Sequence, residues 1–229
     1  MRRVGTPSLQ RAAGDYRWLL DRGYPSPSSL KLVGDRFQLD TFQRRVLARG
    51  IVPSGVARAR RRRLVRRIRG RVVHVDCCNV LLTISSYLLG LPVFLANDGL
   101  LRDAAEDHGK ISGRDAFDRA LELLARYLAR RRPARAQLYV DAPFPFSGEL
   151  ASRASRLLEQ GGTPGSAQAV RSPDFALKSA AEGIIATSDS AVVDGSVRPV
   201  VDLARNVLES EYRPRFLRLA RGPVWRRSR

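Results

Sequence analysis

Three segments far apart in the chain end an apolar run on a carboxylate: Val72-Val73-His74-Val75-Asp76, Gln137-Leu138-Tyr139-Val140-Asp141 and Ile184-Ile185-Ala186-Thr187-Ser188-Asp189. In a chain that alternates strand and helix, such acids fall at the carboxyl ends of strands, where open sheets bind their ligands. Carboxylates gathered there repel one another and resist desolvation, so a shared hard cation such as Mg²⁺ or Mn²⁺ would hold them together. Asp76, Asp141 and Asp189 are therefore the candidate catalytic and metal-binding residues. Asp194, five residues past Asp189, is a fourth candidate ligand.

The neighbours of these acids suit supporting roles. Asn79 completes an Asp-x-x-Asn turn with Asp76 and is placed either to cap the next helix or to orient a metal-bound water. Ser188 adds a hydroxyl beside Asp189, and the two prolines of Pro143-Phe144-Pro145 stiffen the loop after Asp141. The run Asn97-Asp98-Gly99-Leu100-Leu101-Arg102-Asp103 offers Asp98 or Asp103 to the same pocket, Asp103 as a supporting acid and Asp98 equally well as a helix N-cap. Arg102 and Lys110 at the rim would hold a phosphate without disturbing the acids. Without a metal, Asp76 reads as a helix cap, and the acids together as caps and core-edge residues.

Charge points to the partner. Lysine and arginine total 41 against 22 acidic residues, a net charge of +19, and only Lys31, Lys110 and Lys178 are lysine. Self-repulsion of that size favours an anionic partner, and arginine's planar fork suits phosphate. RNA is the expected partner, with DNA an open alternative. Nine of the fourteen residues from 58 to 71 are arginine, with Leu64, Val65 and Ile68 at helix-compatible spacing. The stretch reads as a basic amphipathic helix or linker, and Arg60, Arg61, Arg62, Arg63, Arg66 and Arg67, with Arg102 and Lys110, are the candidate nucleic-acid contacts.

The elements that must position these residues follow from pattern. Ser8 caps a predicted helix through Leu20; prolines 25 and 27 break the chain; Leu30, Leu32 and Val33 pack, Gly34-Asp35 turns, and Asp40 with Gln43 forms a capping box for a helix over 41–49. Strands are predicted near 72–76, 93–96, 137–141, 167–170, 183–187 and 199–201. Helices are predicted near 80–89, 98–107, 113–131, 148–160, 173–181 and 202–209, with Ser112 and Ser147 as N-caps. Such alternation gives an α/β fold, a mainly parallel sheet flanked by helices, behind a small N-terminal helical segment. The expected division is a helical domain over 1–57, a basic helix or linker over 58–70, an α/β domain over 71–209 and a basic tail over 210–229, which Phe216, Leu217, Leu219 and Trp225 could dock.

Several classes are disfavoured. The longest apolar stretch, 79–96, is broken by Thr83, Ser85, Ser86, Gly90 and Pro92, so no membrane span is expected. The N-terminus lacks an apolar run after its arginines, which argues for a cytoplasmic protein without a signal peptide. Cys77 and Cys78 are adjacent, too close for a relaxed disulfide, and no zinc-type spacing joins them to His74 or His108. Neither a Gly-x-Gly-x-x-Gly loop nor a Walker-type Gly-Lys-Ser/Thr occurs.

Taken in order, the strand ending in Asp76-x-x-Asn79, the strand ending in Asp141 and Thr187-Ser188-Asp189-Ser190 after a late strand resemble the PIN and NYN group of metal-dependent ribonucleases. More closely, Arg22-Gly23-Tyr24-Pro25, Leu32-Val33-Gly34-Asp35-Arg36 and Gln43-Arg44, joined to Val75-Asp76-Cys77-Cys78-Asn79-Val80-Leu81 and Ala186-Thr187-Ser188-Asp189-Ser190, resemble an uncharacterised archaeal and bacterial family. That family pairs a small N-terminal helical domain with a PIN-like domain. The resemblance implies a Mg²⁺- or Mn²⁺-dependent endoribonuclease with Asp76, Asp141 and Asp189 as ligands. No glutamate on an intervening helix matches the second acid of typical PIN domains, and Asp189 lacks the Asp-x-Asp pair of NYN domains. The alternative is therefore a catalytically inactive RNA-binding or assembly protein on the same fold.

Overall fold

The computed structural model describes residues 5–104 and 114–219, divided between two compact units. In chain order the elements begin with helices α1 (Pro7–Leu20), α2 (Ser26–Arg36), α3 (Thr41–Gly50) and α4 (Ser54–Arg63). Strands β1 (Leu64–Val65) and β2 (Val72–Asp76), helix α5 (Cys77–Leu88) and strands β3 (Val93–Leu95) and β4 (Leu101–Asp103) come next. Then follow α6 (Arg114–Arg131), β5 (Arg135–Asp141), α7 (Ser147–Gln160), β6 (Gly165–Val170), α8 (Pro173–Lys178) and β7 (Ile184–Ala186). The chain ends on α9 (Ser190–Gly195), β8 (Val200–Val201), α10 (Leu203–Tyr212) and β9 (Leu217–Arg218).

The first unit takes residues 5–62, 91–104 and 215–219. Local chemistry sets its helix starts. Thr6 caps α1 by accepting the Leu9 N–H at 3.3 Å. Pro27 lies in the first turn of α2, where its missing N–H removes no helical bond. At α3 the Gln43 N–H donates to Asp40 Oδ1 at 2.8 Å while the Asp40 N–H donates to Gln43 Oε1 at 3.2 Å, the reciprocal capping box. The apolar faces enclose Leu9, Ala12, Tyr16, Val33, Val46, Leu47 and Ile51, joined by Phe94 from a small sheet ordered β4-β3-β9 and by Leu219 just past β9.

The second unit takes residues 63–90 and 114–214. Its six strands lie in the order β1-β8-β7-β2-β5-β6, and every pairing is parallel. Helices flank the sheet, as the alternation predicts. Strand β2 is central: Val73 and Val75 are fully buried, and its register runs Val75 to Ala186 on one side and Asp76 to Tyr139 on the other. From β2 the chain steps outward to β5 and β6, then returns across β2 to β7 and β8. That reversal makes the gap between the ends of β2 and β7 the topological switch point.

Several expectations change. The basic helix ends at Arg63, because Leu64 and Val65 pair in parallel with Val200 and Val201 instead of continuing an amphipathic stripe. Residues 93–95 do not join the large sheet: β3 pairs antiparallel with β4, where a helix over 98–107 was expected, and in parallel with β9 from the tail. The first unit therefore draws on three stretches of chain, not on residues 1–57 alone. Gly34 and Asp35 are helical instead of turning, and Leu32 is 62% exposed. Ser147 is the first helical residue, not the cap, and its hydroxyl donates to the Ala142 carbonyl at 3.0 Å. Ser112, His108 and Trp225 lie outside the described residues.

Gly34 sits inside α2 because an arginine lies on it. Arg44 Nε donates to the Leu39 carbonyl at 2.9 Å and Nη2 to Asp35 Oδ1 at 2.8 Å. A Cβ on Gly34 would come within 2.2 Å of Arg44 Nη1. Gly34→Ala should therefore displace the guanidinium and lower stability by about 1–3 kcal/mol. Gly14→Ala in α1, where a Cβ meets nothing within 4 Å, should be neutral or mildly stabilising. Urea midpoints of the two variants test the difference, and equal midpoints would show that Arg44 yields freely.

Candidate active site

Asp76 ends β2 and begins α5, so one residue serves both elements. Its Oδ1 accepts the Asn79 N–H at 3.3 Å, capping the helix, and its Oδ2 accepts the Thr187 hydroxyl at 2.8 Å across the switch point. Asn79 completes the link from the other side: its Oδ1 accepts both the Ser188 N–H at 2.9 Å and the Ser188 hydroxyl at 3.0 Å. Asn79 thus fixes the turn after β7. These four side chains tie the end of β2 to the end of β7.

Asp189 follows immediately. Its Oδ1 accepts the N–H groups of Ala191 at 2.7 Å and Val192 at 3.1 Å, capping α9, and the residue is exposed. Burial of Asp76 pushes its pKa up from 3.8 to about 6; bonds from Thr187 and the Asn79 backbone oppose the shift, while the charges of Asp189 and Asp174 add to it. Asp174 was not a sequence candidate. It lies in the first turn of α8 behind Ser172-Pro173, a pattern that reads as an ordinary helix start, and it pairs with Lys178 at 3.5 Å. The usable signal was the strand that ends at Val170 just before it.

Asp141 stands differently. It lies on β5 two residues beyond Tyr139, the register partner of Asp76, which carries it roughly 7 Å farther along the strand direction. It bears on Cys78, whose thiol burial pushes up to about 12; the Asp141 N–H opposes that shift, and the carboxylates of Asp76 and Asp141 add to it. Cys77 and Cys78 are free and buried, protonated spacers between strand and helix. Two residues before Asp76, His74 Nδ1 lies 3.1 Å from the Tyr139 hydroxyl, and burial holds the imidazole below its usual pKa.

The remaining candidates separate. Asp194 is exposed in the last turn of α9. Asp103 and Arg102 belong to the first unit, and both are buried in ion pairs: Asp103 faces Arg49 at 3.5 Å, and Arg102 Nη2 meets Asp98 Oδ2 at 2.8 Å. Arg60 Nη1 reaches the same Asp98 oxygen at 2.7 Å and is 3% exposed. Asp98 is thus the buried centre of an Arg60–Asp98–Arg102 cluster and not a helix cap. Arg63 donates to the carbonyls of Arg198 and Val193 at 2.6 and 2.7 Å, closing the turn after α9. Arg60, Arg63 and Arg102 are consequently structural, because their guanidinium donors are used inside the fold. Arg61 donates to the Asn97 carbonyl, Arg62, Arg66 and Arg67 are exposed, and Lys110 lies outside the described residues.

Among the described residues, no three His, Cys, Asp or Glu side chains are grouped to hold a metal ion, so the expected three-acid cage is not what the structure presents. The switch point instead offers Asp76 and Asp189, with the charge of Asp174 nearby. An all-oxygen pair of this kind fits Mg²⁺, which is commonly held by one or two carboxylates with waters and substrate phosphates completing the shell. A carboxyl whose ionisation burial opposes, with like charges adding to the opposition, is a condition that a bound cation relieves.

The fold and site define an α/β protein with an open parallel sheet and a carboxylate pair at its topological switch point. Residues 65–206 match the model of the Domain of unknown function (DUF5616) and residues 8–63 that of the Protein of unknown function (DUF434). The chain belongs to the DUF5616 family, whose match covers most of its length. It is similar to the Uncharacterized protein MJ0935 of Methanocaldococcus jannaschii, 27% identical over 205 residues that span 88% of this chain and 97% of that protein. No solved structure matches.

The raised pKa of Asp76 fixes a pH dependence. Because the folded form binds this proton more tightly than the unfolded chain, Asp76 weakens the fold as pH rises from about 4 through about 6, and its penalty is complete above that window. Asparagine keeps the capping oxygen and removes the charge. Asp76→Asn should gain on the wild type by an amount that grows across this window to roughly 3 kcal/mol at pH 7. Thermal unfolding of both proteins from pH 4 to 8 measures it, and a pH-independent difference would mean that Asp76 is not a high-pKa group.

Proposed function

We propose that the second unit is a PIN-like, metal-dependent endoribonuclease that hydrolyses RNA phosphodiesters in the cytoplasm. The observation that carries the reading is the Asp76–Asp189 pair: two like charges kept together at the ligand crevice of a parallel sheet, one of them with its ionisation opposed by burial. The order of strands about a central β2 supports the PIN-like part, and two free, buried cysteines suit a reducing compartment. Among the described residues no helix is long and apolar enough to cross a membrane.

In this reading Asp76 and Asp189 hold Mg²⁺ or Mn²⁺, with Asp174 and Asp141 contributing charge around the crevice. The bound ion would polarise the phosphate and lower the pKa of an attacking water. The protein's own work is positional. Thr187 fixes one oxygen of Asp76, the Asn79 N–H fixes the other, and the Asn79 side chain holds the Ser188 turn that presents Asp189. Loss of the Asn79 amide oxygen would release that turn and loosen Asp189. A second reading, an RNA-binding or assembly protein without activity, has its own support: Asp76 and Asp189 both cap helices, which acids do without any metal.

Cleavage of single-stranded and structured RNA with Mn²⁺ or Mg²⁺ separates the two. Asp76→Asn and Asp189→Asn should each lower metal-dependent turnover at least 100-fold while RNA affinity is kept and thermal stability is not lowered, Asp76→Asn gaining the stability that removal of its buried charge returns. Asn79→Ala should lower turnover less, by about tenfold, acting through the turn. If the wild type neither turns over RNA nor gains thermal stability from Mn²⁺, the inactive reading stands.

A further inference from the structure

We propose that a cleft at the amino-terminal end of the sheet, opposite the acids, is a separate binding site for clustered phosphate groups. It measures about 550 Å³ and is walled by the segment between β1 and β2, the last turns of α6 and one side of α10. Five guanidinium groups line it, Arg66, Arg67, Arg69, Arg130 and Arg131, against the single carboxylate of Glu209. The cleft precedes Val72 and the acids follow Val75, so the length of β2, about 16 Å, lies between them. The site is independent of the hydrolytic reading.

Part of this charge has a structural purpose. Arg130 and Arg131 lie in the last turn of α6, where cations complement the helix dipole. Arg130 pairs with Glu211, Arg131 lies 5.2 Å over the Tyr127 ring, and Arg66 Nη2 meets Glu209 Oε2 at 2.8 Å. Glu209 is shared with Arg205 Nε at 2.7 Å, so it is already neutralised. Arg67 and Arg69 have no such account. Both are exposed in the cleft wall, and neither has an ion-pair partner among the described residues.

Their placement is fixed from both sides. Ile68 between them is 1% exposed, and the Gly70 N–H donates to the Arg132 carbonyl at 3.0 Å, so the segment is strapped against the end of α6. Two exposed arginines held on either side of a buried anchor, facing further arginines across a concave wall, concentrate positive potential in one place. Guanidinium groups meet phosphate oxygens in paired, charge-assisted bonds, and phosphate supplies more negative charge per volume than carboxylates do. Clustered phosphates come either from an RNA backbone or from a small polyphosphorylated ligand.

The test uses the full chain in EDTA, so that no cleavage intervenes, with inorganic tripolyphosphate and a single-stranded oligouridylate as probes. The cleft variant is Arg67→Gln/Arg69→Gln. The control, Arg119→Gln/Arg156→Gln, removes the same charge from exposed positions on α6 and α7. Loss of at least tenfold in affinity for one or both probes, in the cleft variant alone, supports the site. A loss confined to the oligouridylate, with its log affinity against log salt flattened by about 1.4, identifies a nucleic-acid backbone as the source. A loss confined to tripolyphosphate identifies a small phosphorylated ligand. If the cleft variant binds both probes as the control does, or if the wild type binds neither, the proposal is overturned. Both probes are read in EDTA without turnover, and metal-dependent cleavage tests the hydrolytic reading separately, so failure here and failure of that reading are distinguishable.

Discussion

Everything in the second unit depends on the pairing of β2 with β7. Strand β2 is the first long strand of the sheet and its centre, and the chain reaches β7 only after building β5 and β6 on the far side. Two parallel neighbours so distant in sequence need something at their ends to set register. Here polar side chains do it: Thr187 donates to Asp76, and Ser188 donates twice to Asn79. A one-residue slip would carry the side chains of Val73 and Val75 to the opposite face and break three hydrogen bonds together. The same bonds hold the turn that carries Asp189, whose charge acts on Asp76, so the contact that fixes the fold also sets the two acids at one end of the sheet.

Charge is managed by location. Some arginines are internal struts, as where Arg60 and Arg102 converge on Asp98, a cluster whose carboxylate is held below the usual range chiefly by Arg102 against the opposing effect of burial. Removing either guanidinium would leave a buried charge under-compensated, a loss of about 3–5 kcal/mol. Others, such as Arg67 and Arg69, are exposed and have no ion-pair partner among the described residues. A net charge of +19 therefore overstates the free cationic surface, since arginine serves here as both scaffold and surface.

What the sequence made legible follows from how local the determining physics is. The capping box at Asp40 and Gln43 and the central apolar strands depend on a few neighbouring residues, and they were readable. Leu64-Val65 was not, because two residues make a strand only when Val200-Val201 lies beside them. The strand near 93–96 is legible but its sheet partners are not, and the helix expected at 98–107 yields to Asp98, which two arginines draw into the interior, and to β4. At the switch point, Asp76, Asn79, Ser188 and Asp189 draw notice in the sequence because each lies within three residues of a strand end. Asp174 was missed because Ser172-Pro173 already accounts for an acid at a helix start. The placement of Asp141 depends on register, and the type of residue says nothing about register.

The energetics of Asp76 favour reading the switch point as a site over reading it as a set of caps. A cap needs one accepting oxygen, and Asn, Ser or Thr supplies it without burying a charge. Asp76 is instead 7% exposed, receives one hydrogen bond on each oxygen, and lies within the influence of two further carboxylates. That arrangement costs stability at neutral pH and returns nothing to the helix that asparagine would not. Proteins tolerate such local losses where a ligand makes use of them. A cation at the crevice would turn the repulsion between Asp76 and Asp189 into shared attraction, and a helix cap alone leaves it unrelieved.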